Sequence, residues 1–255
     1  MTIELLYATL FFILGIIMGS FYNVVGYRLP NNISLIKPSS HCPNCNKKLG
    51  FFELIPIISY IIQFGKCKKC KQRISIFYPI IELSSGLLFA LSYLVFGLTS
   101  ELFVALVFSS TLLIVILTDI KYMIISDELL LFSGIMIIIG RLMTDYEITA
   151  LLLNIIIPFM FLLIVKISGD FFFKKESLGG GDVKLMIVIG LALGWQTSII
   201  TVAFASFIAL PISLVILAVK KTNVIPFGPF LSLASLILYY FSIDFTVIFN
   251  LLVNV

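Results

Sequence analysis

The sequence predicts an all-α polytopic membrane protein of about eight transmembrane helices, with a small cytoplasmic domain inserted after the first helix. Three observations carry this. Hydrophobic residues make up 60% of the 255-residue chain and charged residues 12%, against about 25% charged in a soluble domain. The charges cluster, and between them run uncharged apolar stretches, most of the ~17–25 residues that a bilayer-spanning helix needs. Finally, one alternating topology puts sixteen of the seventeen basic residues on the same side.

The first apolar run covers residues 5–25. Only Glu4 precedes it as a charge, and the run is longer than the apolar core of a signal peptide, so it reads as a retained first span. Residues 28–78 then form a polar, basic segment. Nine of the seventeen basic residues lie between Arg28 and Arg73, with Glu53 as the single acid among them. Such a block could bind nucleic acid, but a basic loop between spans more often marks the cytoplasmic side, and no nucleic acid is expected as partner. A segment this short buries little core and needs a staple.

Seven further spans follow, at 79–97, 102–118, 128–143, 148–167, 183–194, 197–219 and 229–253. The sixth is short and is weakened by Gly190 and Gly194, which suits a tilted or partial span. With the basic loop in the cytoplasm, Lys121, Lys166, Lys174, Lys175, Lys184, Lys220 and Lys221 also fall inside and only Arg141 outside. Both termini come out external. The predicted divisions are 1–27 (first helix), 28–78 (cytoplasmic domain) and 79–255 (remaining membrane domain). No internal repeat or low-complexity tract is evident.

All four cysteines lie in the inserted domain, as Cys42-Pro-Asn-Cys45 and Cys67-Lys-Lys-Cys70 with 21 residues between the pairs. Two such knuckles suit tetrahedral zinc. A reducing cytoplasm disfavours disulfides, and neighbouring lysines favour thiolates. The alternatives are an iron centre or four unligated thiols. Four protein ligands leave no open position, so the metal folds the domain rather than catalysing. His41 adjoins Cys42 and is the single histidine. It reads as an exposed loop residue, and the absence of any other histidine argues against a Ser-His-Asp or Cys-His hydrolase.

Acids inside or beside spans need a reason. The candidates are Glu82, Asp119, Asp127, Glu128, Glu176, Asp182 and Asp244. Asp119 ends the third span and Asp182 begins the sixth, behind Gly179-Gly180-Gly181, and the topology sets both at the cytoplasmic edge. The glycines free the backbone and let an extended substrate approach. The competing reading is a flexible loop with two acids paired locally to Lys121 and Lys184. Glu82 either pairs with a base of the cytoplasmic loop or serves a second site. Asp127 and Glu128 suit the positive end of a helix, and Asp244 is expected at the outer face without chemistry.

These residues resemble a family, the bifunctional type IV prepilin peptidases or leader peptidase/N-methyltransferases. Gly19-Ser20-Phe21-Tyr22-Asn23-Val24-Val25-Gly26-Tyr27-Arg28-Leu29-Pro30 is similar to the family's opening motif. The cysteine block, Ile55-Pro56-Ile57-Ile58-Ser59-Tyr60, Gly65-Lys66-Cys67 and Tyr78-Pro79-Ile80-Ile81-Glu82-Leu83 follow in family order. Asp119 matches the first catalytic aspartate, and Gly179-Gly180-Gly181-Asp182 contains the family's GxGD motif with the second. Three positions depart: Ser126 stands where proline is usual, Leu54 for a common asparagine, and Ser177 where glycine is frequent.

The resemblance implies a membrane-embedded aspartic endopeptidase of the bacterial inner membrane. It would remove the basic leader of a prepilin or pseudopilin after glycine, at the cytoplasmic face. Asp119 and Asp182 would share one proton and activate water, with Gly179, Gly180 and Gly181 beside the substrate strand. A second activity is implied, methylation of the new amino terminus from S-adenosylmethionine, seated in the zinc domain. The rival classes are a transporter, a non-enzymatic assembly protein with a zinc docking module, and a GxGD protease with other substrates. A transporter calls for midplane acids and a repeated half, and neither is seen.

Overall fold

The computed structural model describes residues 2–144, 146–220 and 225–242, and among them there is no β-strand, only isolated bridges. The helices are α1 (Thr2–Arg28), α2 (Ile58–Ile62), α3 (Phe77–Phe96), α4 (Ser100–Tyr122), α5 (Asp127–Leu142), α6 (Ile148–Phe173), α7 (Gly180–Leu193), α8 (Trp195–Lys220) and α9 (Gly228–Tyr240). A helix thus falls in each of the first seven predicted spans and in the described part of the eighth. Five of them, α1, α3, α4, α6 and α8, are long and apolar enough to cross a membrane. By contrast α5 has 16 residues and α7 has 14, short of the ~20 that a span needs. Beyond Ser242 the eighth predicted span, with Asp244, lies outside the described residues, as does Lys221.

The chain divides into two compact units, Met1–Leu98 and Thr99–Val255. In the first, α1 packs along α3 through small residues. A Cβ on Gly15 would come 2.5 Å from the Ser85 carbonyl oxygen, and one on Gly86 would come 2.7 Å from Ile16. Small side chains are what let apolar helices approach closely without a hydrophobic driving force between them. At the end of α1 the buried Arg28 turns the chain back: its guanidinium donates to the carbonyls of Ser34 at 2.9 Å, Leu35 at 3.1 Å and Pro38 at 2.5 Å.

In the second unit α7 is the central helix, packed by α4, α5, α6, α8 and α9. Its buried residues include Leu185, Met186, Ile189 and Leu191. Gly190 is where α6 comes closest, since a Cβ there would stand 1.9 Å from the Asn154 carbonyl oxygen. Pro158, four residues on in α6, has no N–H to offer that carbonyl. Gly194 ends α7 at φ +81°, a conformation that glycine adopts without a Cβ penalty.

Both ends of α7 are anchored. At its C-terminus Arg141 donates to the carbonyls of Leu191 at 3.2 Å and Ala192 at 2.5 Å. Arg141 is also bound to Glu101, which accepts the Tyr239 hydroxyl at 2.6 Å. Before its N-terminus, Lys166 of α6 donates to the Leu178 carbonyl at 2.6 Å and pairs with Glu176 at 3.1 Å and Asp170 at 3.3 Å. The element carrying Asp182 is therefore fixed by charge-assisted hydrogen bonds at each end.

Candidate active site and metal centre

Asp119 lies one turn before the end of α4 and Asp182 in the first turn of α7. Each is 6% exposed. The charges of both Asp119 and the Lys166 ammonium act on the Asp182 carboxylate. Asp182 takes the third helical position after its N-cap, Gly179, and its carboxylate reaches back to the Gly179 backbone N–H. That is the place where a helix's free N–H groups and positive end favour an acid. Its other oxygen, Oδ1, is buried and accepts no hydrogen bond from the described protein. Unmet buried polar atoms are rare in native proteins; the Ser85 and Ser232 hydroxyls are the others among the described residues.

Asp119 is held differently. Its Oδ2 accepts the backbone N–H of Gly228 at 3.1 Å, from the first residue of α9. A Cβ on Gly228 would stand 2.5 Å from that same oxygen. Ile125, in the loop between α4 and α5, fills the space beside both motifs. Hypothetical Cβ atoms would come 2.8 Å from Ile125 at Gly181 and 3.2 Å at Gly228. Gly228 is a site residue that sequence reasoning missed.

The three glycines before Asp182 work through space rather than backbone freedom. Gly179 has φ −65°, and Gly180 and Gly181 are helical. Gly181 must be small because of Ile125, whereas a Cβ on Gly180 would meet nothing within 4 Å. Gly179 and Gly180 are exposed. The local pairing considered for Lys184 does not form: its ammonium binds Asp127, at 2.6 and 2.8 Å. Lys121 lies against the Tyr122 ring. Glu82 accepts the backbone N–H of Ile57 at 2.7 Å.

In the first unit the four cysteine sulfurs lie within 4.8 Å of one another. Cys42 and Cys70 are 3.8 Å apart, and Cys45 and Cys67 are 4.0 Å apart. Sulfurs about 2.3 Å from a tetrahedral ion would stand ~3.8 Å apart, whereas a disulfide brings them to about 2.05 Å. The two knuckles are built alike. Cys42 N–H donates to Lys47 and Asn46 N–H to Cys42, just as Cys67 N–H donates to Gln72 and Lys71 N–H to Cys67. Asn46 and Lys71 take φ +53° and +59°. The Gln72 backbone N–H, then the Asn44 side chain, draw the Cys70 thiol down to about 6. The backbone N–H groups of Cys70 and Lys69 lower Cys67. Against the Lys47 N–H, burial and the neighbouring sulfurs push Cys45 up to about 11. Four thiols this close cannot all ionise unless a cation joins them. The cluster fits a metal ion, and His41 has no part in it: its Nδ1 lies 3.0 Å from the Ser39 carbonyl.

Residues 106–214 match the Type IV leader peptidase family, and residues 13–96 match the Bacterial Peptidase A24 N-terminal domain. A prepilin leader peptidase/N-methyltransferase of Bacillus subtilis is 38% identical over 237 residues, covering 91% of this chain and 94% of the relative. The chain belongs to the type IV leader peptidase family. Proteins of the same name from Myxococcus xanthus and Stutzerimonas stutzeri are 33% and 30% identical, over 79% and 87% of this chain and 60% and 86% of theirs. No solved structure matches. The family expected from the motifs is the one found, and with it a peptidase with a methyltransferase activity.

The departures from the family pattern are locally accommodated. Ser126, in the place of proline, has φ −76°, the angle a proline ring would impose, and its hydroxyl binds Glu128. Ser177 donates its N–H at 2.6 Å and its hydroxyl at 2.8 Å to Asp170, against Gly169, where a Cβ would come 2.5 Å from the serine oxygen. Leu54 caps the single turn Phe51–Glu53 and is exposed.

Proposed function

We propose that this chain is a multi-pass enzyme of the bacterial inner membrane. It removes the leader of type IV prepilins or pseudopilins after glycine at the cytoplasmic face, then methylates the new amino terminus. The observation that carries the peptidase reading is the buried pair Asp119 and Asp182, on α4 and the anchored α7, within the family's peptidase segment.

The dyad shares one proton, because two carboxylates at close range resist double ionisation. The ionised member takes a proton from a water as that water attacks the scissile carbonyl. The protonated member polarises the carbonyl oxygen and returns a proton to the leaving amine. Gly228 N–H orients Asp119 through Oδ2, and the Oδ1 of Asp182, which accepts no bond from the described residues, is the oxygen we assign to the reacting groups. Exposed Gly179 and Gly180 leave room for an extended substrate strand, and the open space at Gly180 supports that placement.

The sulfur cluster of Cys42, Cys45, Cys67 and Cys70 suits structural zinc. Zinc there would supply folding energy to residues 28–78, which we assign to methyl transfer from S-adenosylmethionine. With that domain in the cytoplasm and the dyad at the cytoplasmic edge of the membrane, lipid surrounds the long helices.

The test is cleavage of a prepilin peptide by purified wild type, Asp119→Asn and Asp182→Asn, with melting temperatures compared. Wild type should cut after glycine and both variants lose ~10³-fold or more, as expected when a group of the acid–base machinery is removed. A variant that folds and cuts at the wild-type rate would remove its aspartate from the mechanism.

A further inference from the structure

The first unit holds a buried carboxylate that the metal centre does not use. Glu82, in the second turn of α3, is 7% exposed, close to the 6% of each dyad aspartate. A Cβ on Gly19 of α1 would come 2.7 Å from Glu82 Cα. The carboxylate accepts the Ile57 N–H at 2.7 Å and a bond from the Ser20 side chain. No ion pair to Glu82 exists among the described residues. Two bases of the first unit serve elsewhere: Lys47 pairs with Glu53 at 2.7 Å, and Arg28 binds three carbonyls.

The donor on Glu82 is itself unusual. Ile57 has φ +59° and ψ −55°, and Ile58 N–H donates to the Pro56 carbonyl at 2.5 Å. This is a positive-φ γ-turn centred on a β-branched residue, a strained arrangement that persists only when its surroundings enforce it. The same segment is tied to the second knuckle, since Gly65 N–H donates to Tyr60 at 2.9 Å, two residues before Cys67.

A buried carboxylate without a protein cation is costly, and such groups cluster where a ligand completes them. Both reactants of a methyl transfer to a new amino terminus are cations, a sulfonium donor and an ammonium acceptor. We infer that Glu82 is the anionic contact of the methyl-transfer site, taking the positively charged reactant, with the Ile57 turn holding its carboxylate in position. This rests on the methyl-transfer reading of the first unit. The acceptor ammonium releases a proton to water. Its nitrogen lone pair then forms the N–C bond while the C–S bond breaks, and that electron pair stays on sulfur. The sulfur product is a neutral thioether, so a carboxylate that binds the donor also distinguishes it from the product.

Glu82→Gln keeps an oxygen for the Ile57 N–H and removes the charge. Binding of S-adenosylmethionine and S-adenosylhomocysteine would be measured by calorimetry on the full-length protein in nanodiscs. KM for a cleaved pilin peptide, prepilin cleavage and melting temperature would be followed alongside. Glu82→Gln should cleave prepilin like wild type. It should lose about tenfold in affinity for the sulfonium ligand but not for the thioether, or else raise the acceptor KM about tenfold with donor binding intact. The first result assigns Glu82 to the donor, the second to the acceptor. Glu82→Asp should keep most of what glutamine loses; equal losses in both would mark a packing role and overturn the inference, as would a Glu82→Gln protein that methylates normally. If glutamine prevents folding, wild type decides. It should prefer sinefungin, which carries an ammonium in place of the sulfonium, over the thioether, or a free amino terminus over an acetylated one, and no preference in either pair overturns the inference. A wild type that binds no donor and transfers no methyl group would instead sink the methyl-transfer reading itself.

Discussion

Gly228→Ala perturbs the dyad without touching either aspartate. The new Cβ would stand 2.5 Å from Asp119 Oδ2, where ordinary contact begins at 3.4 Å. Gly228 starts α9 and is followed by Pro229, so the backbone has little freedom to retreat. The carboxylate must therefore shift by about 0.9 Å, and its 3.1 Å bond to the Gly228 N–H is distorted. A displacement near 1 Å at a reacting group costs ~10²-fold in rate. We expect kcat for prepilin cleavage to fall by about that factor, KM to change little, and the melting temperature to stay within a few degrees of wild type. Single-turnover cleavage of a labelled prepilin in detergent or nanodiscs, with a melting curve on the same preparation, measures both. Wild-type kcat in a folded Gly228→Ala protein would refute the reasoning, because it would mean that the position of Asp119 does not govern the chemistry. A collapse in melting temperature that accounts for the lost activity would assign Gly228 to packing alone.

Gly180→Ala is the matched contrast. Its Cβ would meet nothing within 4 Å, so stability should be unchanged while KM for prepilin rises severalfold; an unchanged KM would remove the substrate strand from that glycine. For the metal centre, elemental analysis should find one zinc per chain in wild type and none in Cys67→Ser. Cys67→Ser should also expose the remaining thiols to Ellman's reagent and abolish methylation, because ligand loss unfolds a small metal domain. Acid should release the metal from wild type as protons compete for the thiolates, and retention of zinc at low pH would contradict thiolate ligation.

How far the sequence could be read depends on the range of each interaction. Apolar runs are continuous and local, so the longer helices of the described residues were recognisable, and the cysteine spacing was enough to foresee the sulfur cluster. Glycines 180 and 181 drew notice only through their place before Asp182. The need for a small residue at Gly181 comes from Ile125, more than fifty residues earlier in the chain, and the open space at Gly180 is set by the fold alone. Gly228 sits in Pro226-Phe227-Gly228-Pro229, which reads as an ordinary turn, and its partner Asp119 is 109 residues away. Lys184 shows the converse error. It follows Asp182 by two residues, but side chains two apart on a helix do not face each other, and its partner is Asp127. Arg141 looked like the lone outward base, yet it binds the last carbonyls of α7. Polar contacts between helices leave little trace in hydropathy.

A hydrolase in a bilayer faces opposed demands: its scaffold must be dry and its reaction must be wet. The 14 residues of α7 reach only about 21 Å, against a hydrocarbon core of about 30 Å. Nine of those residues are buried, so protein rather than lipid encloses the helix. The missing ~9 Å is then left to the polar backbone ends and the side chains that serve them, and non-helical backbone at membrane depth persists only where protein or a water-filled cavity surrounds it. On the proposed function, the mouth of α7 at Asp182 is the place where solvent would have to reach below the lipid surface. If the dyad works as proposed, membrane thickness should act on the rate: cleavage should slow in a thicker bilayer, which lengthens the path that water must take, and quicken in a thinner one.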